Sequence, residues 1–461
     1  MHGEVTRYFA PQAWVDGAWT QDVLLAVAAD GHWASIEPNA VEEAQRGAVR
    51  LHGPVLPGLV NAHSHAFQRA IAGLTERSEG SSDDFWSWRD RMYSAALRIT
   101  PEQLEAVAAL LYAELLQAGY TQVCEFHYLH NNTDGQPYAD PLAMSLALVR
   151  AAQRVGMGLT LLPTLYMRSG FAATDLRDDQ RRFASTPASV LHLAEGVLAQ
   201  GGSHVNAGLA IHSLRAVDGA ALHEMAAAAR AQGMAVHIHI AEQVQEVQDC
   251  VGAHGERPIE WLLSHAAVDA HWNLVHATQS TPAELQAVQR RGAAIVICPS
   301  TEANLGDGVF DLPAYAAAGG HWSIGSDSHV TRSWQEELRL LEYSQRLNLR
   351  RRNIAAHMPA SSSTADNLFN TALAGGHAAT SLPLGGIAPG QRADFVVVDT
   401  ASTALLGIPA DHLLDAMVFS SPDARFSEVF VAGRRVVNGG QVDGWPRLAE
   451  DFVGAMRTLW G

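Results

Sequence analysis

From about residue 5 to residue 55, short apolar runs alternate with turn residues. Asp22-Val23-Leu24-Leu25-Ala26-Val27, for example, is followed by Asp30-Gly31, so this stretch reads as small β structure. The far end repeats the pattern. Ala393-Asp394-Phe395-Val396-Val397-Val398-Asp399 is strand-like, and the run from Val429 to Val437 resembles a hairpin around Ala432-Gly433. Between the two ends, apolar runs that finish in polar residues alternate with longer Ala/Leu-rich helical stretches, the pattern of parallel βαβ units. Eight runs are strand candidates: Pro54 to His65, Thr121 to Tyr128, Leu159 to Tyr166, Ala207 to Leu214, Ala235 to Ala241, Asn273 to Thr278, Ala293 to Pro299 and Trp322 to Asp327. Eight such strands predict an α/β fold, a (β/α)8 barrel of the TIM type, with a small β domain built from both chain termini. The expected boundaries are 1–56 with 386–445 for the small domain, 57–385 for the barrel and 446–461 for a C-terminal helix.

In such a barrel the chemistry sits at the C-terminal ends of the strands. The first strand ends Asn61-Ala62-His63-Ser64-His65, and residues two apart on a strand point the same way, so His63 and His65 can face one metal ion. Alone this is weak, since a chain with 22 histidines holds roughly one His-x-His by chance. The fifth strand ends His237-Ile238-His239-Ile240-Ala241-Glu242 and adds a third imidazole and a carboxylate. His239 is preferred over His237 because it lies nearer the strand's C-terminal end, whereas His237 sits one layer deeper. The sixth strand ends in His276 and the eighth in Ser326-Asp327-Ser328-His329. Asp327 is not needed as a helix cap, because Ser333 with Glu336 already offers a capping box for the helix that follows.

Composition narrows the classes. The chain has 461 residues, 48% apolar and 17% charged, enough for a large core, and its net charge of -17 argues against a polyanionic partner. Neither nucleic acid nor membrane is expected as a partner. Arg350, Arg351 and Arg352 form the one notable basic cluster and read as a solvated helix end. Cys124, Cys250 and Cys298 are too few and too scattered for a disulfide framework, which fits a cytoplasmic protein, and a homodimer is the expected assembly. No apolar run reaches membrane-spanning length. All 31 basic residues are arginine, so chemistry that needs a lysine amine is excluded.

His63, His65, His239, Glu242, His276 and Asp327, at the ends of strands one, five, six and eight, together resemble the amidohydrolase superfamily. That resemblance implies the barrel and makes the terminal domain a β-sandwich. Members with two metals bridge them through a carbamylated lysine, which this chain cannot supply. One divalent ion, zinc first, is therefore expected, with a bridging carboxylate such as Glu125 as the remaining alternative. Such an ion makes hydroxide available near neutral pH, with Asp327 accepting the water's proton. Glu242 is then left to carry a proton to a leaving nitrogen and His276 to polarise the attacked group, which suits hydrolysis of a C–N bond.

The local sequence is similar to one branch of the superfamily, which releases ammonia from N-formimino-L-glutamate. The likeness rests on Leu56 to Arg69, Phe85-Trp86-Ser87-Trp88-Arg89, Glu125-Phe126-His127-Tyr128, His212-Ser213-Leu214-Arg215, His239 to Gln243 and Gly325 to His329. It implies metal ligation by His63, His65, His239 and Asp327 and catalysis by Glu242, His276 and Asp327. It also implies contacts from Gln68, Arg89, Tyr128, His212 and Arg215 to a small dicarboxylate substrate, for which guanidinium forks are suited. A rival reading is a deaminase of guanine- or cytosine-like rings, since the run Cys298 to Gly306 resembles what those enzymes carry. Another is a non-catalytic barrel, but such relatives lack ligands that are all present here.

Overall fold

The computed structural model describes residues 5–42, 44–77, 85–202, 204–357, 361–420 and 424–461, with the side chains of 85–87 outside the described set. Eight parallel strands form the barrel in chain order: Leu59–Ser64, Tyr120–His127, Gly158–Leu165, Leu209–Ile211, Val236–Ile240, Trp272–His276, Ala294–Ile297 and His321–Ile324. Nearly every residue in them is buried, because helices cover the outside and side chains fill the inside, so the strands read as continuous apolar runs.

Two expected strands differ in detail. Pro54 to His65 is broken at Gly58: Val55–Pro57 pairs antiparallel with Phe395–Val397 in the small domain, and only Leu59–Ser64 belongs to the barrel. A Cβ at position 58 would lie 2.3 Å from the Thr121 side chain, so the crossing between the two sheets needs a glycine. The fourth strand is also divided, with Val205–Ala207 pairing with the third strand before Leu209–Ile211 continues.

The first and eighth strands meet at their catalytic ends. The Asp327 amide donates to the His63 carbonyl (2.9 Å) and the His65 amide to the Asp327 carbonyl (3.2 Å). Just below, the Asn61 side chain bonds Ser326 twice, donating to its hydroxyl (2.7 Å) and accepting from its amide (2.9 Å). A Cβ on Gly325 would fall 2.6 Å from that of His63, so this approach also depends on a missing side chain.

Helices start where the sequence offers Thr-Pro. Thr100, Thr186 and Thr281 each cap a helix opened by proline, and each forms a reciprocal capping box. Gly156, Gly233 and Gly255 stop others in the left-handed conformation. Ser333 caps the helix Trp334–Leu349 through the Glu336 amide, but the Glu336 carboxylate accepts from Thr331, so the expected box is only half made. Arg350 ends that helix with positive φ, and Arg350 to Arg352 are exposed.

The terminal segments build one nine-stranded sheet, Thr6–Val15, Ala18–Val27 and Trp33–Glu37 joining Phe395–Val398, Phe426–Val431 and Arg434–Asn438 through Val55–Pro57. The hairpin turns at Ala432-Gly433, both at positive φ. Tyr8 and Phe430 stand three strands apart, roughly 14 Å on a flat sheet, yet their ring centroids are 5.4 Å apart. The sheet therefore coils so that its two halves enclose a core of Tyr8, Trp33, Phe395 and Phe430. The C-terminal helix Trp445–Trp460 packs on Pro101–Gln117, and the Trp460 indole donates to the Ala70 carbonyl.

Candidate metal centre and active site

The barrel brings four side chains to one point. The His63 and His65 Nε2 atoms are 3.1 Å apart, His63 and His239 Nε2 are 3.0 Å apart, and Asp327 Oδ1 lies 3.4 Å from His63 and 3.3 Å from His65. Ligand atoms about 2 Å from a tetrahedral ion stand roughly 3.3 Å from one another. The proton arrangement points the same way. His65 Nδ1 faces the Phe126 carbonyl and His239 Nδ1 the His212 carbonyl, each at 2.9 Å, so both rings carry their hydrogen there and present bare Nε2 lone pairs inward. Burial holds His65 below its usual pKa and His239 well below, and pushes His63 down to about 3, so none carries a second proton at neutral pH. A His63 Nε2 hydrogen could satisfy only one of its three neighbours, His65 Nε2, His239 Nε2 and Asp327 Oδ1. A cation fits this donor set, and the buried His63, His65 and Asp327 group could hold one.

His237, two residues before His239, is fully buried and spends Nε2 on the Ala379 carbonyl (2.8 Å), away from the cluster. Glu125 stands behind the first strand's end. Its oxygens accept from the Ser64 hydroxyl (2.6 Å), the Ala66 amide (2.6 Å) and the Tyr112 hydroxyl (3.2 Å), so it buttresses the His63-Ser64-His65 turn.

Glu242 and His276 flank the cluster. His276 Nε2 is 3.8 Å from Glu242 Oε1 and 3.9 Å from Asp327 Oδ2. Burial pushes Glu242 up to about 7, against the pull of His276. Burial disfavours charge on His276 too, but Glu242, Cys298 and Glu302 around it hold it well above the usual value. Burial would also raise Asp327, yet the hydrogen bond from His63 holds it far below the carboxylate range. Ala241, His276 and Asp327 all have positive φ, an uncommon backbone for residues other than glycine that clusters at functional sites.

A cleft of about 510 Å³, part of it open to solvent, leads to this point. Gln68, Arg89, Tyr128, His212 and Arg215 all line it, together with Met92, Tyr93, Tyr166, Phe183 and Leu305, to which the sequence assigns no role in the site. Gln68 Nε2 donates to the Tyr128 hydroxyl (3.3 Å). Burial lowers the pKa of Arg89, whose guanidinium lies 5.5 Å from the centre of the Tyr93 ring. Burial works against charge on Arg215, but Tyr166 and Glu246 beside it leave its pKa raised. Tyr93 and Tyr166 carry no motif and are found only because the third strand and the helix Phe85–Ala96 converge on the barrel mouth. The helix side chains at 85–87 lie outside the described residues.

A barrel with a buried histidine–carboxylate cluster at its strand ends defines a class. The chain belongs to the amidohydrolase family, whose model matches residues 55–436. It is 45% identical over 457 residues to the formimidoylglutamate deiminase of Pseudomonas aeruginosa, covering 99% of this chain and 100% of that one. An amidohydrolase from Brucella melitensis superposes with a TM-score of 0.93 at 42% identity, covering 99% of this chain and 100% of that one. A zinc-bound adenosine deaminase from Xanthomonas campestris, 21% identical and covering 98% of both chains, shares the fold with a TM-score of 0.81. The protein is a hydrolase of this family.

Proposed function

We propose that the protein hydrolyses N-formimino-L-glutamate to N-formyl-L-glutamate and ammonia with one bound zinc ion. The observation that carries this reading is that two guanidiniums, Arg89 and Arg215, line the same cleft as the four convergent donors. A substrate with two carboxylates has use for both, and a neutral ring base has none. The 45% identity to a formimidoylglutamate deiminase over the full chain supports the same substrate.

His63, His65, His239 and Asp327 would hold the ion. When bound, it supplies the Lewis acidity that makes a nucleophilic water available at neutral pH. Asp327 accepts a proton from the attacking water. His276 donates toward the formimino group and steadies the charge that develops as its carbon becomes tetrahedral. Glu242, held near neutral pH in its protonation, passes a proton to the terminal nitrogen as the carbon–nitrogen bond breaks, and ammonia leaves. Arg89 and Arg215 grip the carboxylates, with Gln68, Tyr128 and His212 completing the contacts. The test is to incubate purified protein with N-formimino-L-glutamate and follow ammonia release alongside metal content. Turnover of guanine or cytosine in preference would overturn the reading.

A further inference from the structure

Behind the guanidiniums lies a buried polar network that the reaction above does not use. Tyr93 and Tyr166 both line the cleft beside Arg89 and Arg215. Gln180, only 1% exposed, sits behind the two phenols. Its Oε1 accepts from the Arg177 amide at 3.1 Å, which fixes the orientation of the side-chain amide. Its Nε2 therefore carries the hydrogens, and it donates to Tyr166 Oη at 3.0 Å and Tyr93 Oη at 3.2 Å.

An amide nitrogen has two hydrogens, so each phenol oxygen receives one and neither phenol can donate back to Gln180. Each phenol therefore keeps its own hydrogen, and both rings line the open cleft. The guanidiniums of Arg89 and Arg177 both lie over the Tyr93 ring, 5.5 and 5.8 Å from its centre.

We propose that Tyr93 and Tyr166, aimed by Gln180, donate a hydroxyl hydrogen bond to one carboxylate of a dicarboxylate ligand whose charge Arg89 and Arg215 neutralise. Gln180 is a positioning residue, and the phenols determine specificity. The neutral donor adds direction where the guanidiniums add charge. The proposal rests on the reading above for the identity of the substrate, and on the cleft alone for the carboxylate.

The experiment compares wild type with the double variant Tyr93→Phe/Tyr166→Phe and with Gln180→Met, with folding checked by circular dichroism. A hydrogen bond to a charged group sets the scale, so the double variant should raise KM for N-formimino-L-glutamate about ten- to a hundredfold, with kcat within about twofold. Gln180→Met, which leaves the phenols present but unaimed, should raise KM in the same direction by less. Two truncated substrates locate the contact: N-formimino-4-aminobutyrate lacks the α-carboxylate, and N-formimino-2-aminobutyrate lacks the side-chain one. The penalty should vanish for one of them. An unchanged KM in the double variant, or an equal penalty on all three substrates, would overturn the proposal, and an unchanged KM in Gln180→Met would overturn the aiming role. Calorimetric binding of glutarate separates the two readings. If wild type binds glutarate, the double variant binds it at least tenfold more weakly and N-formimino-L-glutamate is not turned over, the substrate reading fails and this one stands. If wild type binds no glutarate, both fail.

Discussion

Replacing Arg89 or Arg215 with methionine keeps much of the side-chain bulk and removes the guanidinium fork. If each fork grips a carboxylate, each loss removes a charge-assisted contact worth about 1.5–3 kcal/mol. At 1.4 kcal/mol per decade, kcat/KM for N-formimino-L-glutamate should fall at least tenfold in either variant. The structure separates the two in stability. The Arg89 side chain is 15% exposed beside Asp90, which is itself open to solvent, so Arg89→Met should unfold at nearly the wild-type denaturant midpoint. Arg215 is enclosed, and the buried carboxylates of Glu246 and Glu242 answer its charge. Removing it strands a buried charge, a change that costs about 3–5 kcal/mol when nothing replaces the partner. Arg215→Met should therefore lose both efficiency and several kcal/mol in urea titrations. Lysine at either position restores a point charge without the fork and should recover only part of the efficiency. Metal content should match wild type in all four variants. Met variants with undiminished kcat/KM would show that the arginines serve the fold, and the substrate assignment would lose its physical basis.

His239→Ala should abolish metal binding and activity together, whereas His237→Ala should keep its metal, because His237 spends Nε2 on the Ala379 carbonyl; metal analysis of both variants decides it, and the reverse pattern would show the wrong histidine was chosen. About one equivalent of divalent metal should copurify per chain, and a chelator should remove activity that zinc restores; two tightly held ions would contradict this. Glu337 is pushed up to about 8 by burial, against the Ser300 bonds that favour its charge. Because the folded value exceeds the ordinary value of 4.5 for a glutamate, its contribution to stability is full below about 4.5 and is lost as pH rises through about 8. Glu337→Gln should flatten the decline of the urea midpoint between pH 5 and 8, and a curve parallel to wild type would refute the assignment.

The barrel was legible because its strands are buried on both faces, so each appears as an unbroken apolar run with a polar terminus, and the polar terminus is where the chemistry lies. His63, His65, His239, His276 and Asp327 could be found for that reason. Where one run served two sheets the pattern gave no warning, as at Gly58, since a residue leaving one core and entering another stays apolar throughout. Tyr93, Tyr166 and Gln180 were invisible for a different reason. Their relation comes from a helix in the first loop, the end of the third strand and the segment after it, and no spacing along the chain encodes that meeting. The two guanidiniums were found only through resemblance, because an arginine in a loop is most often a solvated or salt-bridged residue. The positive φ at His276 and Asp327 could not be read from residue type at all.

The joint between the first and eighth strands bears on how the protein is made. Asn61 and Ser326 are 265 positions apart in the chain, so the contacts that join them carry nearly the greatest loop-closure cost the barrel has to meet. Contacts of that separation form late, after local helices and neighbouring strands are in place. His63, His65 and Asp327 belong to that same joint. A chain whose barrel has not closed therefore lacks one side of the donor cluster, so an ion that needs all four donors would be loaded only by a finished fold.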